Sequence, residues 1–142
     1  NYRTINDKQH RAIAGLSMGG FHTMHTAALL NQTFDYVGIF SALYVPHTKQ
    51  PHAERTIEMS ALALSDKPAY QQTEALLQQQ FANPPQLYWI ACGVDDFLYE
   101  DNVIYRKYLD KKQYPYEYHE SAGGHSWQNW IDYLTIFAQR IF

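Results

Sequence analysis

Ser17 stands between two glycines in the stretch Gly15-Leu16-Ser17-Met18-Gly19-Gly20, a G-x-S-x-G pattern. The chemistry this spacing serves is that of an exposed, activated hydroxyl. Glycines on both sides permit a sharp turn in which a Cβ would collide with the neighbouring strand or helix, and the strain of the turn lifts the serine Oγ clear of the backbone. If a helix begins there, the Met18 backbone N–H points to where a carbonyl oxygen would become negative. One turn would then hold a nucleophile and half of an oxyanion hole. Three fixed positions in five also occur in ordinary tight connections, so the pattern has to be weighed with its partners.

A serine hydroxyl is a weak nucleophile at neutral pH and needs a base that can take its proton and pass it on. Seven histidines are available. His10, His22 and His25 lie close to Ser17 in sequence on rigid elements, His119 falls within a strand, and His47 and His52 lie in a long excursion. His125 follows Gly123-Gly124 after the last strand, in a loop able to approach Ser17 from above a sheet. It is the expected base. An acid that orients the imidazole must come from an adjacent strand end, and both Asp95 and Asp96 of Gly93-Val94-Asp95-Asp96 qualify. The spacing of three between His22 and His25 would suit two metal ligands, but no third is close by, and packing is the expected role.

These residues need a framework. Ala12-Ile13-Ala14 is a short apolar run ahead of the serine turn, and residues 18–31 have helical periodicity without charges. Tyr36-Val37-Gly38-Ile39-Phe40-Ser41 is too apolar for a wet face, as in a central parallel strand. Residues 42–67 lose periodicity and carry Pro46, His47, Pro51 and His52, an expected excursion that forms the wall or lid of a pocket. Pro68 suits the start of a helix running to about Phe81. A third strand over 86–92, a helix over 99–112 and a half-exposed edge strand over 114–120 follow. Last comes a helix whose apolar stripe, Trp127, Trp130, Ile131, Leu134, Phe137 and Ile141, is expected to pack on the sheet. The expected fold is α/β: a mostly parallel sheet of about four strands flanked by helices in a single domain. Tyr44, Phe97, Leu98 and Trp127 fall near the predicted rim and are the expected substrate-binding side chains.

With 46% hydrophobic and 15% aromatic residues, the 142-residue chain has ample material for a core. Its net charge of −3 offers no electrostatic basis for binding nucleic acid or an anionic membrane. No apolar stretch is long enough to span a bilayer, and the first residues do not form a signal peptide. The single cysteine, Cys92, lies in an apolar run and is expected to pack in a strand.

Three blocks in order, Gly15-Leu16-Ser17-Met18-Gly19-Gly20, then Ala91-Cys92-Gly93-Val94-Asp95-Asp96, then Gly123-Gly124-His125-Ser126-Trp127 with Trp130 a turn later, resemble the esterase D family of α/β-hydrolases. The likeness is greatest to its feruloyl and acetyl-xylan esterase branch. The resemblance implies the C-terminal part of an α/β-hydrolase fold, with Asp96 rather than Asp95 as the acid beside Ser17 and His125, and neither metal nor organic cofactor. It implies a small-molecule or polysaccharide-linked acyl ester as substrate and a secreted or periplasmic setting, with a cytoplasmic one as the alternative. Members of the family carry upstream strands and a loop donating the second oxyanion N–H, which are absent from these residues. The expectation is therefore a fragment, weakly active or inactive alone, that associates with the upstream half or with another copy. A thioesterase resembling S-formylglutathione hydrolase, a serine peptidase and a non-catalytic binding module are the alternative readings.

Overall fold

The computed structural model describes residues 3–44 and 72–142. The expected excursion, with Pro46, His47, Pro51 and His52, lies outside the described residues apart from its first three positions, as does Pro68. A 3-10 turn, Lys8–His10, leads into β1 (Ala12–Leu16), and the remaining elements follow as α1 (Met18–Leu29), β2 (Tyr36–Phe40), α2 (Thr73–Ala82), β3 (Leu87–Gly93), α3 (Tyr99–Lys112), β4 (Glu117–Ser121) and α4 (Trp127–Ala138).

The four strands form a parallel sheet in the order β1-β2-β3-β4. Each strand is laid down beside the one before it, so right-handed crossovers carry α1, α2 and α3 to the same face, and α4, which needs no return strand, covers the other. Side-chain alternation then sorts the core. On the first face Val37, Ile39, Tyr88 and Ile90 meet Phe21 and Met24 of α1, Leu77 and Phe81 of α2, and Tyr105, Tyr108 and Leu109 of α3. On the second, Tyr36, Phe40, Leu87, Trp89 and Ala91 meet Tyr133 and Phe137 of α4. Strands β2 and β3 are buried throughout, as their unbroken apolar runs predict. Strand β4 is half-exposed and lies at one edge of the sheet among the described residues, but without the expected alternation: Tyr118 and His119 are both half-buried, and His119 stacks on Trp89.

Two further expectations are corrected. Strand β1 runs on to Leu16, so the strand reaches Ser17 directly. Of the expected inward stripe, Phe137 is buried and Trp130 and Ile141 pack partly buried against the same cluster, joined by Tyr133 and Ile136, whereas Trp127, Ile131 and Leu134 are exposed. The helix crosses the sheet with only part of its apolar surface covered, and these three line a groove of about 180 Å³ along β1 with Ala14, Leu16, Phe40 and Trp130. Among the described residues no helix is long and apolar enough to cross a membrane.

Candidate active site

Strand β1 ends at Leu16 and α1 begins at Met18, which leaves Ser17 alone to make the turn. It does so with φ 53° and ψ −122°, a conformation that L-residues adopt at a cost of about 1–3 kcal/mol. Backbone bonds on both sides hold it there. The Ser17 N–H donates to Phe40 O at 2.9 Å, and the Ser17 carbonyl accepts from the N–H groups of Gly20 and Phe21 at 3.0 and 3.3 Å. A Cβ on Gly15 would overlap the Gly19 backbone, and one on Gly20 would come within 2.7 Å of the Ala42 Cβ. A Cβ on Gly19 would meet open space, so the close approaches fall at Gly15 and Gly20 rather than at the two glycines of the pattern.

Ser17 is also the N-cap residue of α1, a position where serine commonly accepts from the helix N–H groups, yet its side chain makes no capping bond. The hydroxyl is directed instead at His125, whose Nε2 lies 2.9 Å from Ser17 Oγ. The Met18 N–H, at the first helical position, has no intrahelical acceptor and sits at the positive end of the helix dipole.

The other imidazole nitrogen, Nδ1, lies 3.1 and 3.0 Å from the two carboxylate oxygens of Asp96. A carboxylate only accepts, so Nδ1 carries the proton and Nε2 of the neutral ring is left to accept from the Ser17 hydroxyl. The Asp96 side chain is fully buried, and its Oδ1 also accepts from the Leu98 N–H at 2.9 Å. Asp95 is exposed and uses its backbone N–H on the Gly123 carbonyl at 3.1 Å. Of the two carboxylates at this strand end, only Asp96 is turned toward the imidazole. Asn102 supports the turn from α3: fully buried, it donates to Leu98 O at 2.8 Å and to Ala42 O at 3.1 Å, joining the acid turn to the exit of β2. An asparagine inside a helical pattern carries no sequence signal for that role.

Aromatic rings bracket the imidazole. The Phe97 ring lies 4.5 Å from it, centroid to centroid, and Trp130 meets it at 4.8 Å with the planes perpendicular. Phe97 is nevertheless 69% exposed and Trp127 70% exposed, so both are available to a ligand at this end of the sheet. Tyr44 and Leu98, the other two expected substrate-binding side chains, are placed differently. Both are buried, and Tyr44, with no exposed surface, stacks on Tyr105 at 4.0 Å in the core. Directly after β2, Ser41 has φ 45°, and Ala42, Leu43 and Tyr44 that follow it are buried.

Cys92 is buried within β3. Burial, and next the charge of Asp96, push the Cys92 thiol up to about 12, which keeps it protonated at neutral pH. His22 and His25 sit beside the Phe21 ring, at 5.9 and 6.4 Å, on the packed helix α1.

The Esterase family model ("Putative esterase") matches residues 1–140. An acetyl esterase of Caldicellulosiruptor saccharolyticus is 28% identical over 137 residues, covering 87% of this chain and 51% of that protein. Among solved structures, a ferulic acid esterase superposes with a TM-score of 0.71 at 29% identity, over 99% of this chain and 55% of that one. The fluorophosphonate-binding serine hydrolase F of Staphylococcus aureus superposes with a TM-score of 0.70 at 25% identity, over 97% of this chain and 55% of that one. The chain thus spans about half the length of the relatives it matches, and its fold is of the α/β-hydrolase type. On the family match over nearly its whole length, the chain belongs to the Esterase family.

Proposed function

We propose that this chain carries the catalytic groups of a serine carboxylic-ester hydrolase. The observation that carries this reading is the run of contacts from Ser17 Oγ through His125 to Asp96, with 2.9 Å between the hydroxyl and Nε2. Ser17 Oγ attacks the ester carbonyl while His125 Nε2 takes its proton, and the oxyanion forms against the Met18 N–H. Collapse of the tetrahedral species expels the alcohol, which receives that proton from His125. Water, deprotonated by the same nitrogen, then attacks the acyl-enzyme and releases the acid and Ser17. Asp96 keeps Nδ1 protonated and stabilises the imidazolium that forms in each half.

The proposed substrates are acyl esters of carbohydrates, acetyl or feruloyl. The names of the acetyl esterase and ferulic acid esterase relatives support this, as does the exposed aromatic pair Phe97 and Trp127 at the reacting end of the sheet. A second oxyanion donor and the rest of the acyl pocket are proposed to come from the part of the fold that lies upstream in the relatives. That part would pair along the outer edge of β1, beside the exposed Trp127, Ile131 and Leu134. Loss of one oxyanion donor costs ~10²–10³ in rate, so the chain extended upstream is expected to be the faster catalyst by about that factor.

The test is hydrolysis of p-nitrophenyl acetate and methyl ferulate by this chain, by an upstream-extended form, and by Ser17→Ala in each. Activity is expected to fall by more than ~10³-fold in Ser17→Ala. Retention of activity in that variant would overturn the assignment, and a ferulate-to-acetate ratio far below one would shift the substrate toward acetyl esters.

A further inference from the structure

Resting on the reading of Ser17, His125 and Asp96 above, we propose that Asn129 is a positioning residue that sets the reach of His125 toward Ser17. The imidazole is borne by the loop between β4 and α4, which contains Gly123, at φ 82°, and Gly124. Two consecutive glycines give such a loop little conformational preference of its own. Its shape is imposed from α4.

The Asn129 side chain, in the first turn of α4, reaches back under the loop. Its Nδ2 lies 2.8 Å from Ala122 O, 3.0 Å from Ser121 Oγ and 3.1 Å from Tyr133 OH, and its Oδ1 accepts from Ser126 Oγ at 2.9 Å. The Ala122 carbonyl can only accept, so the amide nitrogen must face it and the oxygen is left for Ser126. The loop is thus tied on both sides of His125 to one carboxamide, at Ala122 before it and at Ser126 directly after it. Ser126 Oγ in turn accepts from the Asn129 N–H at 3.4 Å, as the N-cap of α4. Gly123 lies against the same group: a Cβ there would come within 2.8 Å of Asn129 Oδ1. The Gly123 carbonyl meanwhile accepts from Asp95, so the clasp holds the histidine loop against the acid turn as well as against α4.

Without the carboxamide both ties are lost and the imidazole is free to shift. A displacement of ~1 Å at reacting groups costs on the order of 10²-fold in rate. Asn129 touches none of Ser17, His125, Asp96, Phe97 or Met18 by hydrogen bond, so the loss should fall on kcat and leave KM near its wild-type value.

The experiment compares wild type with Asn129→Leu, which keeps the bulk and removes the hydrogen bonds, Asn129→Asp, which sets a carboxylate against the Ala122 carbonyl, and Ser126→Ala, which removes one tie. It is run on whichever form, this chain or its upstream extension, hydrolyses p-nitrophenyl acetate. Active sites are counted by labelling with a fluorophosphonate probe, with Ser17→Ala as the blank. Both Asn129 variants are expected to lose about 10- to 100-fold in kcat per labelled site and in labelling rate, with KM within about twofold. Ser126→Ala is expected to lose less, and to add little to Asn129→Leu because the two share a contact. Variants that unfold more readily but keep wild-type kcat per labelled site would overturn the proposal. If the Asn129 variants do not fold, wild-type kcat per site in Ser126→Ala would overturn it. Wild-type protein that hydrolyses the ester without labelling at Ser17 would overturn the reading of Ser17 and this one with it, whereas normal labelling in every variant would sink the role of Asn129 alone.

Discussion

The carbonyl oxygen of Gly123 occupies the space that a β-carbon on Gly93 would need. This contact brings the end of β3, from which the turn bearing Asp96 departs, against the loop that carries His125. The Asp95 N–H donates to that same carbonyl, and the Val94 N–H donates to Ser121 O at 2.9 Å. Gly93→Ala must push the two segments apart. The expected cost is about 1–3 kcal/mol of stability, read as a lower urea midpoint, together with lower activity per folded molecule. A variant of wild-type stability and activity would show that the loop yields without consequence.

Asp96→Asn preserves shape and burial but allows its amide to donate to Nδ1, which favours the tautomer with the proton on Nε2. The ring could then no longer accept from Ser17. The expected loss in kcat is roughly 10³- to 10⁴-fold, with the fold intact by circular dichroism. Asp95→Asn, at an exposed carboxylate, should change kcat by less than about twofold, since the bonds to His125 Nδ1 come from Asp96. Equal losses in the two variants would contradict the assignment of Asp96.

Tyr44 and Phe97 should separate stability from activity. Tyr44 is fully buried and stacked on Tyr105, so Tyr44→Ala is expected to cost about 3–5 kcal/mol in denaturant unfolding. Phe97 is largely exposed but covers one face of His125, so Phe97→Ala should leave stability within about 0.5 kcal/mol and alter KM and kcat for aromatic acyl esters. The reverse pattern would return Tyr44 to the substrate pocket.

The tyrosine-rich core should make the fold sensitive to alkali. Burial raises the phenols of Tyr44 and Tyr105 well above 10.0, raises that of Tyr88, and pushes Tyr116 up to about 12 with help from the hydrogen bond to Asp110. A folded-state value above the unfolded one means that the native chain binds more protons between the two. Stability is therefore fully present below about pH 10 and lost as pH rises above it. The denaturant midpoint should fall as pH rises from about 10 to about 12, with much of the 295 nm tyrosinate absorbance appearing only on unfolding. A constant midpoint over that range would contradict the burial of these hydroxyls.

Much of this was legible in the sequence because it depends on neighbours in the chain. The strand-turn-helix around Ser17 follows from turn chemistry and apolar period, and the unbroken apolar runs of β2 and β3 mark strands covered on both faces. The alternation of strands and helices and the order of serine, acid and histidine are also readable without a fold. The rest depends on which surfaces meet. Of two adjacent carboxylates, the one that reaches His125 is decided by the turn Gly93 makes against Gly123. Gly20 rather than Gly19 is the tight glycine because Ala42, from the end of another strand, lies against it. Tyr44 goes inside and Trp127 stays outside for the same reason. Apolar character permits burial, but only the packing of α3 and α4 on the sheet decides which apolar side chains are covered. The sequence alone determined the local turns and periods, whose energetics are set within a few residues. Tertiary structure decided the pairing of groups far apart in the chain, because their distances exist only once the sheet has brought its strand ends together.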